Sequence, residues 1–339
     1  MKLLSNSNSL HTVNMKEKIP KFMLFKRIVA IILIVIITGI VIQWGYNFYT
    51  NEKSASRMSY TRVNGKKMEY KVNGVGDYTV IFDGTTGATA DEWNKVAKEV
   101  SDNLGVKTFV YNRRGYGEND GGSLQTPKDQ AEDLKILLRK AAVSSPFILV
   151  GEGYGSLIIT NFANLYPDSV AGVVLVNPYD EAKLNEKGEG VSGIADLVRK
   201  KIEAIGSNVS LTLLMDKIGL ASNLKDFENN LSESEKEQFN YRKNQSNYRN
   251  AVYNETKNIY DRESNSQKDG MFKDLPFYII SNQDDNSLKR LGSSDLTFQY
   301  KSNYDGEVYS LMDSGSVENA IKKVIEISRK TQKSTTKDN

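Results

Sequence analysis

From Ile28 to Ile42 the chain is Ile, Val, Leu and Ala save for Thr38 and Gly39, and no charge follows Arg27 until Glu52. An uncharged helix of about 20 residues crosses a hydrocarbon core of roughly 30 Å, so this run predicts a transmembrane helix over 28–49. Beyond it the apolar period changes. Residues 57–63 and 66–72 alternate polar and apolar side chains around Asn64-Gly65, the pairing that closes a tight β-hairpin. Short β-branched runs then alternate with stretches of helical spacing. A strand over 78–82 precedes a helix over 91–104 with Trp93, Val96, Ala97 and Val100 on one face. A strand over 107–111 precedes a helix opened by Thr126-Pro127 and running to Ala142, and a strand over 147–150 precedes a helix over 156–165. Ala171 to Val176 is almost wholly apolar, which suits a parallel strand covered on both faces.

That alternation predicts an α/β fold with a doubly wound, mostly parallel sheet. Residues 179–274 interrupt it with a polar insertion of helical segments at 194–205, 211–218 and 232–258, expected to form a cap. Strands at 276–281 and 296–300 and a helix at 317–328 close a domain over 57–330, with 331–339 expected as a disordered tail. Lys16, Lys18, Lys21, Lys26 and Arg27 precede the apolar run, and Trp44, Tyr46, Phe48 and Tyr49 follow it. The basic flank and aromatic belt place residues 1–27 in the cytoplasm and the C-terminal domain outside the cell membrane. The small residues Ser54-Ala55-Ser56 lie too far past the apolar run for a cleavage site, so the helix reads as an uncleaved signal anchor.

Composition removes whole classes of chemistry. The 45 Lys and Arg are interspersed with 42 Asp and Glu, leaving a net charge of +3 and no phosphate-tracking face, so nucleic acid is not an expected partner. Cysteine is absent, which removes disulfides, thiolate nucleophiles and cysteine-bound zinc. The one histidine, His11, lies in front of the membrane run. A proton shuttle titrating near neutrality and an imidazole-ligated metal are therefore not expected in the domain, and no cofactor is expected. Arg113-Arg114 is read as fastening its own loop through ion pairs rather than binding an anion.

Four segments, Val80-Ile81-Phe82-Asp83-Gly84, Tyr111-Asn112-Arg113-Arg114-Gly115-Tyr116-Gly117, Leu149-Val150-Gly151-Glu152-Gly153-Tyr154-Gly155 and Leu175-Val176-Asn177-Pro178, resemble in order and spacing the landmarks of the bacterial α/β-hydrolase superfamily. The resemblance implies an α/β-hydrolase fold with a helical cap, and a triad of elbow serine, histidine and acid. Here the elbow carries Gly153. The acid falls on Asp285, with Asp284 as the alternative, and the histidine on Glu307, with Ser316 as the alternative. The resemblance also assigns the oxyanion-hole amides to Thr85 and Tyr154, and puts the carboxylates of Asp83 and Glu152 near the cleft, where they oppose a developing oxyanion.

The expected function is that of a membrane-tethered, extracytoplasmic pseudoenzyme that binds a small ligand, an envelope component or another protein beneath its cap. The alternative is a hydrolase-family enzyme acting on an ester or related small substrate through remodelled carboxylate chemistry at Glu152, Asp285 and Glu307.

Overall fold

The computed structural model describes residues 21–54, 58–184, 191–283 and 287–337. The hairpin predicted around Asn64-Gly65 joins β1 (Ser59–Val63) to β2 (Lys66–Asn73), with both turn residues at positive φ, +49° and +79°, as a two-residue hairpin turn demands. It feeds one eight-stranded sheet with β3 (Thr79–Asp83), β4 (Lys107–Tyr111), β5 (Phe147–Glu152), β6 (Val170–Val176), β7 (Phe277–Ser281) and β8 (Thr297–Lys301), in the order β1-β2-β4-β3-β5-β6-β7-β8. The β1–β2 and β2–β4 pairs are antiparallel and all others parallel.

Every residue of β3 and β5 is buried, because helices cover both faces. On one side Ile81, Leu149 and Val173 pack with α3 (Pro127–Lys140) and α4 (Gly155–Leu165). On the other, Val80, Phe82, Ile148 and Val150 pack with α2 (Asn94–Leu104) and the last helix of the chain, Ser314–Lys337. This is the alternation of successive side chains that a strand imposes. Helix α3 starts where Thr126-Pro127 predicted, in a capping box with Asp129.

Between β6 and β7 lies the cap: α5 (Val191–Gly206), α6 (Leu211–Lys217), α7 (Lys225–Asn230), α8 (Glu233–Arg242) and α9 (Ser246–Asp261). The helix expected over 232–258 is two helices. The break falls where Asn244 bonds Asp216 Oδ2 at 2.7 Å and Arg249 Nη2 at 2.9 Å, and where Gln245 is extended. These side chains look like ordinary helix surface in the sequence, but a buried polar network claims them. After β8 come the short α10 (Tyr309–Met312) and α11 (Ser314–Lys337). Helix α11 continues through most of the segment expected as a disordered tail, and Tyr78 Oη donates to Gln332 Oε1 at 2.9 Å, tying that added length to the sheet.

The apolar N-terminal run lies in α1 (Lys21–Lys53), one helix long and apolar enough to cross a membrane. It is not a detached rod. Tyr46 Oη donates to Asn240 O at 2.9 Å, Gln245 Nε2 to Thr50 Oγ1 at 2.9 Å and Ser54 Oγ to Gln238 Oε1 at 3.0 Å, so its last turns are docked on the cap. His11 lies outside the described residues.

Candidate functional site

Strand β5 ends at Glu152 and α4 begins at Gly155, which leaves Gly153 and Tyr154 to make the elbow. Gly153 has φ +52°. In that left-handed region a side chain costs about 1–2 kcal/mol. Space is denied as well, since a Cβ on Gly153 would lie 2.3 Å from Thr85 Oγ1 and 3.0 Å from Thr85 Cβ. The Thr85 side chain thus fills the volume into which an elbow residue would project. Gly155 answers a different need: α4 packs on the end of β3 so closely that a Cβ there would meet the Asp83 carbonyl oxygen at 2.4 Å.

Thr85 belongs to the loop after β3, and its amide, expected to face an oxyanion, donates to the Glu92 carboxyl at 3.1 Å. Glu92 reaches this position from the 3-10 turn Ala90–Trp93, and Gly84 admits it, because a Cβ on Gly84 would touch Glu92 Oε2. Beside Glu92 lies Glu152, and both are fully buried. Two carboxyls in contact away from water hold a proton between them. Burial, then repulsion by Glu152, pushes Glu92 well above the ordinary carboxyl range. Burial raises Glu152 to about 7, against the pull of hydrogen bonds from Ser310, Tyr309 and Glu92. Because Glu152 already accepts two backbone amides, it is the better-stabilised anion of the pair, and the shared proton sits on Glu92. The two amides are those of Tyr309 and Ser310, the latter at 3.1 Å, which anchors α10.

Arg113 emerges just past β4 and is 5% exposed, yet all five of its N–H groups have acceptors. Nε donates to Glu255 Oε1 at 2.7 Å, and Nη2 to Glu255 Oε2 at 3.0 Å and the Thr85 carbonyl at 2.9 Å. Nη1 donates to Asp83 Oδ1 at 2.5 Å and the Gly84 carbonyl at 2.8 Å. Tyr111 bonds the other Asp83 oxygen, and Tyr116 bonds Glu255 at 2.8 Å while accepting the Gly87 amide at 3.1 Å. With two carboxylates to one guanidinium, burial pushes Asp83 and Glu255 up while Arg113 draws them down. Burial opposes charge on Arg113 too, but Glu255 and Asp83 outweigh it and keep the guanidinium protonated. This cluster joins the loop after β3 to cap helix α9. Arg114 is likewise in an ion pair, with Asp133 at 2.7 Å.

Above the elbow and under the cap lies a cavity of about 500 Å³. Gly153, Thr85 and Glu307 line it, together with cap residues. Ser316, the alternative to Glu307, is in the first turns of α11 and is not on the wall. Asp83 and Glu152 do not line the cavity, which corrects the expectation of cleft carboxylates: Arg113 holds one beneath the floor, and Glu92 with the α10 amides holds the other. Tyr154 is buried, its phenol donating to Gln130 and accepting from Asn258 of α9 at 2.7 Å. Asp284 and Asp285 lie outside the described residues. The sequence reading missed the charged wall of α5, where Asp196, Arg199 and Lys200 face the cavity and Lys200 pairs with Asp196 at 3.0 Å. Their i, i+3, i+4 spacing was the available signal. Tyr248 and Tyr260 are also on the wall.

Residues 79–309 match the family model of the alpha/beta hydrolase fold. The chain belongs to the α/β-hydrolase family. It is 27% identical over 106 residues to the uncharacterized protein YqjL of Bacillus subtilis (strain 168), covering 31% of this chain and 41% of that one. It is 24% identical over 155 residues to a pyrrolizixenacetamide deacetylase of Xenorhabdus hominickii, covering 46% and 58%. The chain thus spans about half the length of these curated relatives. Among solved structures it is similar to the epoxide hydrolase CorEH, with a TM-score of 0.63, 14% identity, and coverage of 79% of this chain and 98% of that one, a likeness of fold.

The stability of this α/β-hydrolase-fold protein depends on its packing at three points. Gly153→Ala costs about 2–4 kcal/mol through left-handed strain and overpacking, and about 1 kcal/mol less in a Thr85→Ala background. Denaturant unfolding measures both, and strictly additive losses would show that Thr85 does not crowd the elbow. Arg113→Met strands two buried carboxylates and destabilises by about 3–5 kcal/mol, part of which Glu255→Gln recovers; an unchanged unfolding midpoint contradicts the clamp. The third concerns pH. Because the folded state holds protons on the Glu92–Glu152 pair more tightly than an unfolded chain does, this stabilisation is complete below an unfolded pKa of about 4.3. It is lost progressively as pH rises from there through the raised folded values, of which that of Glu152 is about 7. Glu92→Gln keeps the donor and removes the titration, so its stability falls less between pH 5 and pH 8 than that of the unaltered protein. Equal slopes in melting experiments count against the shared proton.

Proposed function

We propose that this protein is a membrane-tethered, extracytoplasmic α/β-hydrolase-fold module that binds a ligand beneath its cap without cleaving it. One observation carries the reading: the two vacancies that acyl transfer needs at the elbow are filled from within. The Thr85 side chain takes the place of a nucleophile above Gly153, and the Glu92 carboxyl takes the Thr85 amide. The sequence agrees, because no histidine or cysteine follows the apolar helix. Without a histidine base or an elbow nucleophile, and with the Thr85 amide of the oxyanion pair already taken by Glu92, the fold keeps its cavity and loses the chemistry.

The cavity itself suits a small ligand. Its volume of about 500 Å³ is ordinary for such sites. Val252, Ile259 and Leu224 offer apolar surface, while Arg199, Lys200, Asp196 and Glu307 offer charge. A molecule with one polar and one apolar end fits that division. Helix α1, with its basic flank and aromatic belt, serves as the uncleaved anchor and leaves the domain outside the membrane. Remodelled carboxylate chemistry is the weaker reading, because Glu152 and Asp83 are sealed from the cavity. The Xenorhabdus deacetylase shares 24% identity over less than half of this chain, which is too little to carry its activity across.

The full-length protein in detergent should remain unlabelled by a fluorophosphonate serine-hydrolase probe and should not turn over chromogenic esters. In a thermal-shift screen of lipids, cell-wall fragments and acyl compounds, a true ligand at 100 times its dissociation constant adds about 2.7 kcal/mol of stability. Val252→Trp, which fills the cavity, should abolish that shift. Ester turnover that a cavity substitution removes would reverse the proposal.

A further inference from the structure

Outside α1, half of the exposed large apolar side chains among the described residues fall on two consecutive cap helices. On α5, Ile194, Val198, Ile202 and Ile205 are 46–63% exposed, and their spacing of four, four and three puts them on one helical stripe. On α6, Leu211, Leu214 and Ile218 continue the patch at 42–58% exposure. The opposite face of α5 carries Asp196, Arg199 and Lys200 on the cavity wall, with Arg199 half-exposed. The usual amphipathicity of a surface helix is thus inverted here: the polar face turns toward the cavity and the aliphatic face outward.

The α5–α6 corner touches α1 at a telling depth. The Val209 carbonyl packs so closely on Gly39 that a Cβ there would overlap it, and Ser210 Oγ donates to the Gly39 carbonyl at 2.9 Å. Gly39 lies inside the apolar run, five residues before Trp44, the first residue of the aromatic belt. At 1.5 Å per residue the contact is about 7.5 Å to the hydrocarbon side of Trp44. A cap that reaches that far cannot stand clear of the membrane that α1 crosses. Interfacial helices bury an apolar face by about 5–10 Å, the same depth. The helix angle is also fixed, since Tyr46, Thr50 and Ser54 all bond to the cap. Lys201 and Lys217, both exposed, flank the aliphatic patch and reach toward headgroups.

We propose that the outward faces of α5 and α6 are embedded in the lipid leaflet beside α1, so that anchor and cap form a single membrane-seated unit with one helix, α5, between the acyl chains and the cavity. This rests on the reading of α1 as a retained anchor. The occupant of the patch is the bilayer, because the patch is continuous with the lipid-facing part of α1 through the Gly39 contact.

The absence of cysteine makes the test direct. Single variants Ile202→Cys, Leu214→Cys, Ile34→Cys in the anchor and Val75→Cys at the opposite end of the sheet are labelled with an environment-sensitive fluorophore. The full-length chain is then placed in nanodiscs of phosphatidylcholine and phosphatidylglycerol with or without doxyl-labelled lipid. Doxyl lipid should quench the labels at 202, 214 and 34 roughly threefold or more above the label at 75, as expected of groups within the leaflet. Quenching at 34 with labels at 202 and 214 as accessible as that at 75 overturns the embedded cap and leaves the anchor standing. Absence of quenching at 34 overturns the anchor, and the inference with it. Labels at 202 and 214 that are shielded from water but indifferent to doxyl lipid, with cross-linking between chains, would assign the patch to a second copy and overturn the inference.

Discussion

The arrangement of loop, elbow and cap depends on a single buried cation. Arg113 sits between Asp83 at the end of β3 and Glu255 on α9, and its remaining N–H groups bond the carbonyls of Gly84 and Thr85. A guanidinium is suited to this because its five donors form a planar fork that stays charged when buried. The cost of removing three charged groups from water is offset only while all partners are in place. The cluster therefore sets the conformation of the loop after β3 and the seat of the cap together, and the position of Thr85 follows from it.

With Thr85 so placed, the elbow takes on a different meaning. A left-handed residue between a strand and a helix is a strained device for presenting a side chain. Here the device is kept with glycine, which carries little strain, and the space over it is closed by Thr85. Beneath, the Glu92–Glu152 pair binds the loop on one side and α10 on the other. Carboxyls that look exposed to the cleft in a linear reading are internal fasteners, each matched to donors or to a proton. Burial has been arranged around Asp83, Glu92 and Glu152, and none of these three lines the cavity.

The strands, the hairpin, the capped start of α3 and the apolar run of α1 were legible because each is written in local periodicity or a local cap. Gly153 at the elbow was legible for the same reason, since the turn and its flanking glycines are contiguous. The break between α8 and α9 was not, because it depends on Asn244 bonding Asp216 and Arg249 in a network assembled from three segments. Nor was the extension of α11, which a contact between Tyr78 and Gln332 supports across 254 residues. The charged wall of α5 was half-visible: its spacing is helical, but a polar stripe in sequence gives no sign of facing inward.

By itself the sequence determined the class of fold, the membrane-length helix, and the absence of histidine and cysteine beyond it, because composition and period are properties of neighbours along the chain. Only the tertiary structure decided that Asp83 and Glu152 are sealed, that Thr85 fills the elbow, and that the turn between α5 and α6 packs on α1 at Gly39. Those outcomes turn on which residues far apart in the chain meet within a few ångströms, and on whether water reaches them. Burial and pairing of charge are set by that three-dimensional packing, and residue type alone does not specify it.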